Sequence, residues 1–476
     1  MAKTFRIFLI AMAVGLVASA PKFLQRPLTY LFAAIAWGAS ALNDAWFNWQ
    51  TKTGLVLGAN SFSKEELVAF EQMLEGFNDA LILSKLVSVY RTDQLMMERA
   101  SDVIWRPQPY IAQSFAGTDM TANFKDNTQL AVPATLGFGR ASPWTMTAKQ
   151  LRDALQEKRL NEAAFQKLGS DINLAINNVA SYQGTLVVKR TAAAIGYDDF
   201  AACEAILNEQ GINMDGRYAG VSTRDYNSMA SNLAGRQTVA GLVQTAFEAS
   251  MIGGGKIASF QTHKMDYTPR QSAAAGGAIM MSGANQYYTP RAMSVAATGE
   301  TSPVDNRYQT IVVSSTTNVA AGDSFTITGV DSVHHITKAD TGQPKTFRVI
   351  AVVGPNQLQI SPPIISAAGG TDAEKQYQNV SATPASNAPI TWLNTAAGYM
   401  NPFWHRDAIE LLPGRYEVPQ NSGVAVLRST TDNGIEVVLQ KFYDINTMIT
   451  KYRADVLFGA VNKQPEMSGI LLFSQP

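Results

Sequence analysis

The 476 residues carry 38 basic and 38 acidic side chains, so the net charge is zero, and charged residues make up only 16% of the chain. At roughly 150 residues per domain that length suggests about three domains. Neutrality excludes the basic footprint of direct nucleic-acid binding and leaves little net charge to oppose self-association. The one cysteine, Cys203, excludes an intrachain disulfide. Its setting in FAACEAIL predicts a buried, inert thiol rather than a nucleophile.

The chain opens MAKTFRIFLIAMAVGLVASA. Lys3 and Arg6 precede an apolar run from Ile7 to Val17, and Ala18-Ser19-Ala20 has the form of a signal-peptidase site. Residues 28–47, LTYLFAAIAWGASALNDAWF, form a second apolar stretch that a secreted domain does not ordinarily carry. From about Asn60 the texture changes. SFSKEELVAFEQMLEGFNDALILSKLVSVY places a capping box at Ser63 and Glu66 ahead of apolar residues at helical spacing, which predicts an amphipathic arm of one or two helices.

Residues 104–144 hold two extended apolar pieces around FAGTDMTANFKDNTQ, which predicts a long β-hairpin or extended loop. Phe165, Leu168, Ile172, Ala175, Val179, Tyr182 and Leu186 then fall at steps of three and four. That spacing predicts a helix of about 30 residues over 161–190 with one apolar face. A coiled coil is the weaker reading, since the heptad phase is not sustained before Phe165. Gly253-Gly254-Gly255-Lys256 fails as a phosphate loop, with Ser250 where the first glycine belongs and Ile257 where Ser or Thr belongs, and is expected to be a hinge.

Residues 261–305 show little periodicity, and the repeated YTPR at 267–270 and 288–291 fits no repeat length. TIVVSS, DSFTITGV, TFRVIAVV and QLQISPPI then predict a compact antiparallel barrel or sandwich, closed by a polar linker, SAAGGTDAEKQYQNVSATPASNAP. VAVLRST and IEVVLQKF flank Asp432-Asn433-Gly434, a strong hairpin signal. The β-unit is therefore expected to be inserted between two halves of a mixed α/β domain.

The chemistry is sparse. His334 and His335 are adjacent and would face opposite sides of a strand, and no zinc spacing involves them, His263 or His405. His405-Arg406-Asp407 lacks the Asn of a kinase catalytic loop, with Leu412 in its place, so local pairing is expected. No catalytic residue, cofactor or metal is expected.

VDNRYQTIVVSSTTNVAAGDSFTITGV (304–330), TFRVIAVVGPNQLQISPPI (346–364), NPFWHRDAIEL (401–411) and the tail from Asp444 through Arg453 to Pro465-Glu466 resemble the major capsid proteins of short-tailed lambdoid phages. SDVIWRP (101–107), TAKQLRDA (147–154) and SFQTHKM (259–265) resemble the same family. The resemblance runs from about Asn60 to the end. It implies an α+β protein with the tailed-phage and herpesvirus capsid fold of the Hong Kong type, carrying an inserted antiparallel β-barrel. The implied divisions are an arm at 59–103, an extended loop at 104–144, a peripheral domain with its spine helix at 145–200, and a first axial segment at 201–258. The insertion is then 259–396 and the closing axial and peripheral segment 397–476.

The implied function is assembly into pentamers and hexamers of an icosahedral virion shell around double-stranded DNA, built in the host cytoplasm, with scaffolding and portal proteins as partners. Arg106 and Lys125 are the expected intersubunit contacts near the extended loop. Arg291 and Glu300 are the only charges on the expected projecting loop, 291–304. Glycines 253, 254 and 255 are the expected hinge. Residues 1–58 are then expected to lie outside the mature protein, with initiation near Val56 or Leu57 as the leading explanation. An exported β-rich adhesin using residues 1–20 as its signal is the alternative, and a protein anchored by two apolar segments is a third reading.

Overall fold

The structure, a computed structural model, describes residues 62–476 apart from 63, 91–102, 116, 122–123, 125–126, 153, 235–255 and 419–422. The apolar opening, Ser63, Lys125 and the 253–255 glycines lie outside the described residues.

The arm helix runs Lys64–Ala80 and packs on the long helix Ala154–Gln183. Phe70 and Phe77 meet Phe165 edge to face, with centroids 6.0 and 5.9 Å apart, the geometry that aromatic quadrupoles favour. Glu66 is turned to a tertiary role, accepting from Lys441 Nζ at 2.6 Å. The long helix buries Phe165, Leu168, Ile172, Ile176, Val179 and Ala180 against the first sheet, as a helical apolar stripe requires.

Two boundaries differ from the spacing. The helix begins at Ala154, where exposed Lys158 and Arg159 leave no apolar rhythm to read. It stops at Gln183 although Leu186 keeps the phase, because Leu186–Lys189 is a strand. At the junction, Gly184 sits so close to the backbone of Ser468 and Gly469 that a Cβ there would stand about 3 Å from it.

The first sheet has the order Ser88–Val89, Ile409–Pro413, Ile449–Asn462, Glu436–Asp444, Ala425–Thr430, and Phe138–Thr147 also pairs with Ile449–Asn462. The hairpin expected around Asp432-Asn433-Gly434 forms, pairing Ala425–Thr430 with Glu436–Asp444. The second sheet is mixed, in the order Leu186–Lys189, Ser468–Leu472, Asn401–His405, Arg217–Ser222, Phe260–Met265, Lys256–Ile257. Helices Tyr197–Glu209 and Thr223–Ala234 contribute to its core, which contains Phe200, Cys203, Tyr226, Phe260 and Phe403.

The four strands expected between 305 and 364 lie in one antiparallel sheet, ordered Gln309–Val312, Gln357–Ser361, Asp340–Gly354, Ser324–Val333, Ile390–Trp392. Residues 279–281 hydrogen-bond near both of its edges, through Met280 to Ser314 and through Ile279 to Ile390. The apolar cluster under this sheet draws every member from residues 279–392.

The stretch expected to be a polar linker is instead structured. It contains a helix, Asp372–Tyr377, with Glu374, Gln376 and Tyr377 buried. Thr371 caps it, its side chain accepting from Glu374 N at 3.3 Å. Two of its buried polar side chains, Glu374 and Gln376, each hydrogen-bond to the protein through one oxygen.

Candidate functional site

Among the described residues the polar side chains converge on joints and projections. Val103–Pro107 and Ala131–Thr135 pair antiparallel as the base of a projecting hairpin, with residues 108–130 as its excursion. Arg106 in the first strand donates from Nε and Nη2 to the two carboxylate oxygens of Glu410, at 2.8 and 3.0 Å. Its guanidinium also lies 3.5 Å over the Tyr90 ring. Such a bidentate, half-desolvated pair fixes direction as well as adding energy. The expected neighbour contact at Arg106 is thus engaged within its own chain, where it sets the root of the hairpin. Beyond that root the excursion exposes Tyr110, Phe115 and Phe124, the last at 86%.

A second projection is the small hairpin of Met293–Val295 and Thr301–Pro303. The Asn306 side chain braces its base, accepting from Arg291 N at 3.0 Å and donating to the carbonyls of Arg291 and Val304. Arg291 and Glu300 are both exposed, at the root and at the turn. The strands between them expose Met293 and Val295, the latter at 70%.

The joint between the five-stranded sheet and the rest of the chain is polar. Arg348, fully buried, donates to Gly322 O at 3.2 Å, to Gly184 O at 3.2 Å and to Ser181 O. Two of those carbonyls lie at the carboxyl end of the long helix, whose dipole favours a cation there. Burial holds the guanidinium down to about 10, so it remains charged at neutral pH. Thr346 Oγ1 donates to Thr185 O at 2.9 Å. Lys345 Nζ lies 2.5 Å from Glu466 Oε1, which also accepts from Asn379 Nδ2 at 3.1 Å.

This joint titrates. Burial holds His335 down to about 4, with Glu466 opposing that and Lys345, Lys338 and His334 adding to it. For Glu466, burial pushes upward, but Lys345, His335 and the hydrogen bonds outweigh it and leave the carboxyl below its ordinary value. Both signs agree. The unfolded chain takes up the His335 proton near 6.5 while the folded chain refuses it, so stability is complete above that pH and declines toward about 4. Below the ordinary carboxylate range the Glu466 contribution is lost as well. The urea midpoint measured across this window should fall on acidification, with a shallower slope in His335→Gln; equal slopes would contradict it.

The remaining candidates have quiet surroundings. Burial raises the Cys203 thiol above its ordinary value, and burial lowers His263. His334 Nδ1 accepts the backbone N–H groups of Ile336 and Thr337, and His405 Nδ1 accepts that of Asp407. Arg406 N donates to Gly216 O, so the His-Arg-Asp run is a local turn at a strand end. The Asp372–Tyr377 helix was missed in the sequence, and Thr371-x-x-Glu374, a capping-box spacing, is the signal that marks it.

The family description "P22 coat protein - gene protein 5" matches residues 58–474. Among solved structures, the chain is similar to one of Mycobacterium phage Che8, at 9% identity over 83% of this chain and 91% of that one, with a TM-score of 0.40. It is similar to one of Gordonia phage Cozz at 11% identity over 83% and 86%, TM-score 0.34. The CUS-3 coat protein I-domain is 40% identical over 25% of this chain and 98% of that one, TM-score 0.20.

Proposed function

Because the chain belongs to the P22 coat protein family and is a major capsid protein, a self-associating component of the icosahedral phage shell, we propose that its copies meet as pentamers and hexamers through the two projections described above. The observation that carries this reading is the placement of large apolar side chains on them, Phe124 on the excursion and Val295 on the small hairpin, at 86% and 70% exposure. Single exposed apolar side chains are normal on monomers, so the reading rests on several of them (Tyr110, Phe115, Phe124, Met293 and Val295) lying together on the two projections. Lys125, Arg291 and Glu300 supply the polar rim of those contacts, and Arg106 holds the root of the larger projection.

In this reading the inserted β-barrel domain, expected over 259–396, has its core at 279–392 between the two segments of the axial domain, while Phe260–Met265 belongs to the second sheet. The glycines at 253–255 are the hinge that lets one sequence make slightly different contacts in pentamers and hexamers. Scaffolding and portal proteins are the partners in assembly, and the closed shell holds double-stranded DNA without reading its sequence. Phe124→Asp and Val295→Asp should leave monomer melting within about 0.5 kcal/mol of wild type, as surface changes do. Closed shells counted by electron microscopy should fall at least tenfold for either variant. Full shell yield from both would refute the assignment.

A further inference from the structure

The short helix Asp372–Tyr377 grips the excursion of the projecting hairpin. Thr128 N donates to Gln376 Oε1 at 3.2 Å, and Tyr377 OH donates to Thr128 O at 2.8 Å. Two consecutive side chains thus take both hydrogen-bonding groups of one residue's backbone, as a paired strand would. On the other limb of the excursion Gln113 Nε2 donates to Asp372 O at 3.3 Å. Leu130 packs with Tyr377 and Ile365, and Ala131 bridges to Asp305.

The helix itself is held from behind. Glu374, fully buried, accepts from Thr289 Oγ1 at 2.5 Å, and Thr371 caps the first turn. Gln376 is only 3% exposed. Burying an amide there costs free energy that an apolar residue would avoid, unless the amide has a partner that matters. Its Nε2 has no hydrogen-bond partner among the described residues, so the contact that its Oε1 makes is with the excursion alone.

We propose that Gln376 and Tyr377 are positioning residues for assembly. By holding the Thr128 backbone they set the direction in which residues 108–130 leave the subunit, and so where the exposed tip meets a neighbouring copy. This rests on the reading of the excursion as an intersubunit contact.

The test uses the full chain, with Tyr377→Phe and Gln376→Leu. Tyr377→Phe keeps the ring and its packing and removes only the donor, so it decides the question alone if Gln376→Leu does not fold. Hydrogen exchange on the free monomer should show peptides covering 108–130 exchanging at least fivefold faster, with peptides covering 346–350 unchanged. A merely structural role for these side chains would accelerate both. When the same monomers are assembled, closed shells should give way to aberrant or open particles at monomer stability close to wild type.

Exchange across 108–130 within a factor of two of wild type would overturn the grip. Faster exchange with normal closed shells would overturn the positioning role. Phe124→Asp run in parallel separates the premise from the proposal. If Phe124→Asp assembles normally the contact reading fails, whatever the exchange shows; if it blocks assembly, the Tyr377→Phe particles judge the positioning role.

Discussion

Arg348→Met should unfold the subunit at a urea concentration well below wild type, with a loss of about 3–5 kcal/mol. Methionine fills much of the same volume, so the loss comes from hydrogen bonds rather than from a cavity. Two buried carbonyls, Gly184 and Ser181, would lose their shared donor, whereas Gly322 O would keep Gln271 Nε2 at 2.6 Å. Each unsatisfied carbonyl costs about 1–3 kcal/mol, and together they outweigh what is regained by no longer burying a cation. Total stabilities of about 5–15 kcal/mol leave little margin for such a loss. Arg348→Lys should rescue only a fraction of it, because a single ammonium lacks the planar fork that reaches Gly322 O, Gly184 O and Ser181 O together. A midpoint for Arg348→Met within error of wild type would show that the joint is not held by this side chain.

Gly469→Ala and Gly459→Ala should each abolish most soluble, folded protein at 37 °C. A Cβ on Gly469 would stand on the carbonyl oxygen of Leu186, and one on Gly459 on that of Thr135. Neither obstacle is a flexible side chain that could swing away. Gly469 is locked between Leu186 on one strand and Phe403 on the other. One methyl group therefore has to push paired strands apart at Gly469, and to push the end of Ala131–Thr135 off Ile449–Asn462 at Gly459, at about 3 kcal/mol or more. Gly277→Ala is the matched control, since a Cβ there meets nothing within 4 Å. It should leave the thermal midpoint unchanged, and recovery of normal midpoints for all three variants would show that the close approaches are not real.

The legible regions of this fold are those in which a local pattern and the burial agree. Phe165 to Val179 repeats at helical spacing because that stripe alone faces the sheet, and the Asp-Asn-Gly turn declares its hairpin through local backbone preference. Phe138–Thr147 was harder to read, because it is mostly exposed along its length and its apolar alternation is weak. The Asp372–Tyr377 helix was hidden for the opposite reason. It is buried through hydrogen bonds, so its polar residues imitate a solvated linker. Arg106 and Arg348 show the same limit. Their partners Glu410 and Ser181 lie far away in sequence, and only the completed topology brings them together. The projecting elements could be located from turn and strand signals, whereas the way each is braced at its root could not.

The strands near the carboxyl terminus have a consequence for how the subunit is made. Ile449–Asn462 is the spine of the first sheet, pairing with three strands drawn from 138–147, 409–413 and 436–444. Ser468–Leu472 lies between Leu186–Lys189 and Asn401–His405 in the second. Both leave the ribosome after every strand they pair with, since synthesis runs from the amino terminus. Neither sheet can be completed before these strands have emerged, and most of their pairings span a long sequence separation, which slows folding. Translation therefore works as a timer: a growing chain still lacks the strands that would finish its sheets, and a chain cut short before Ile449 has no means of completing either one.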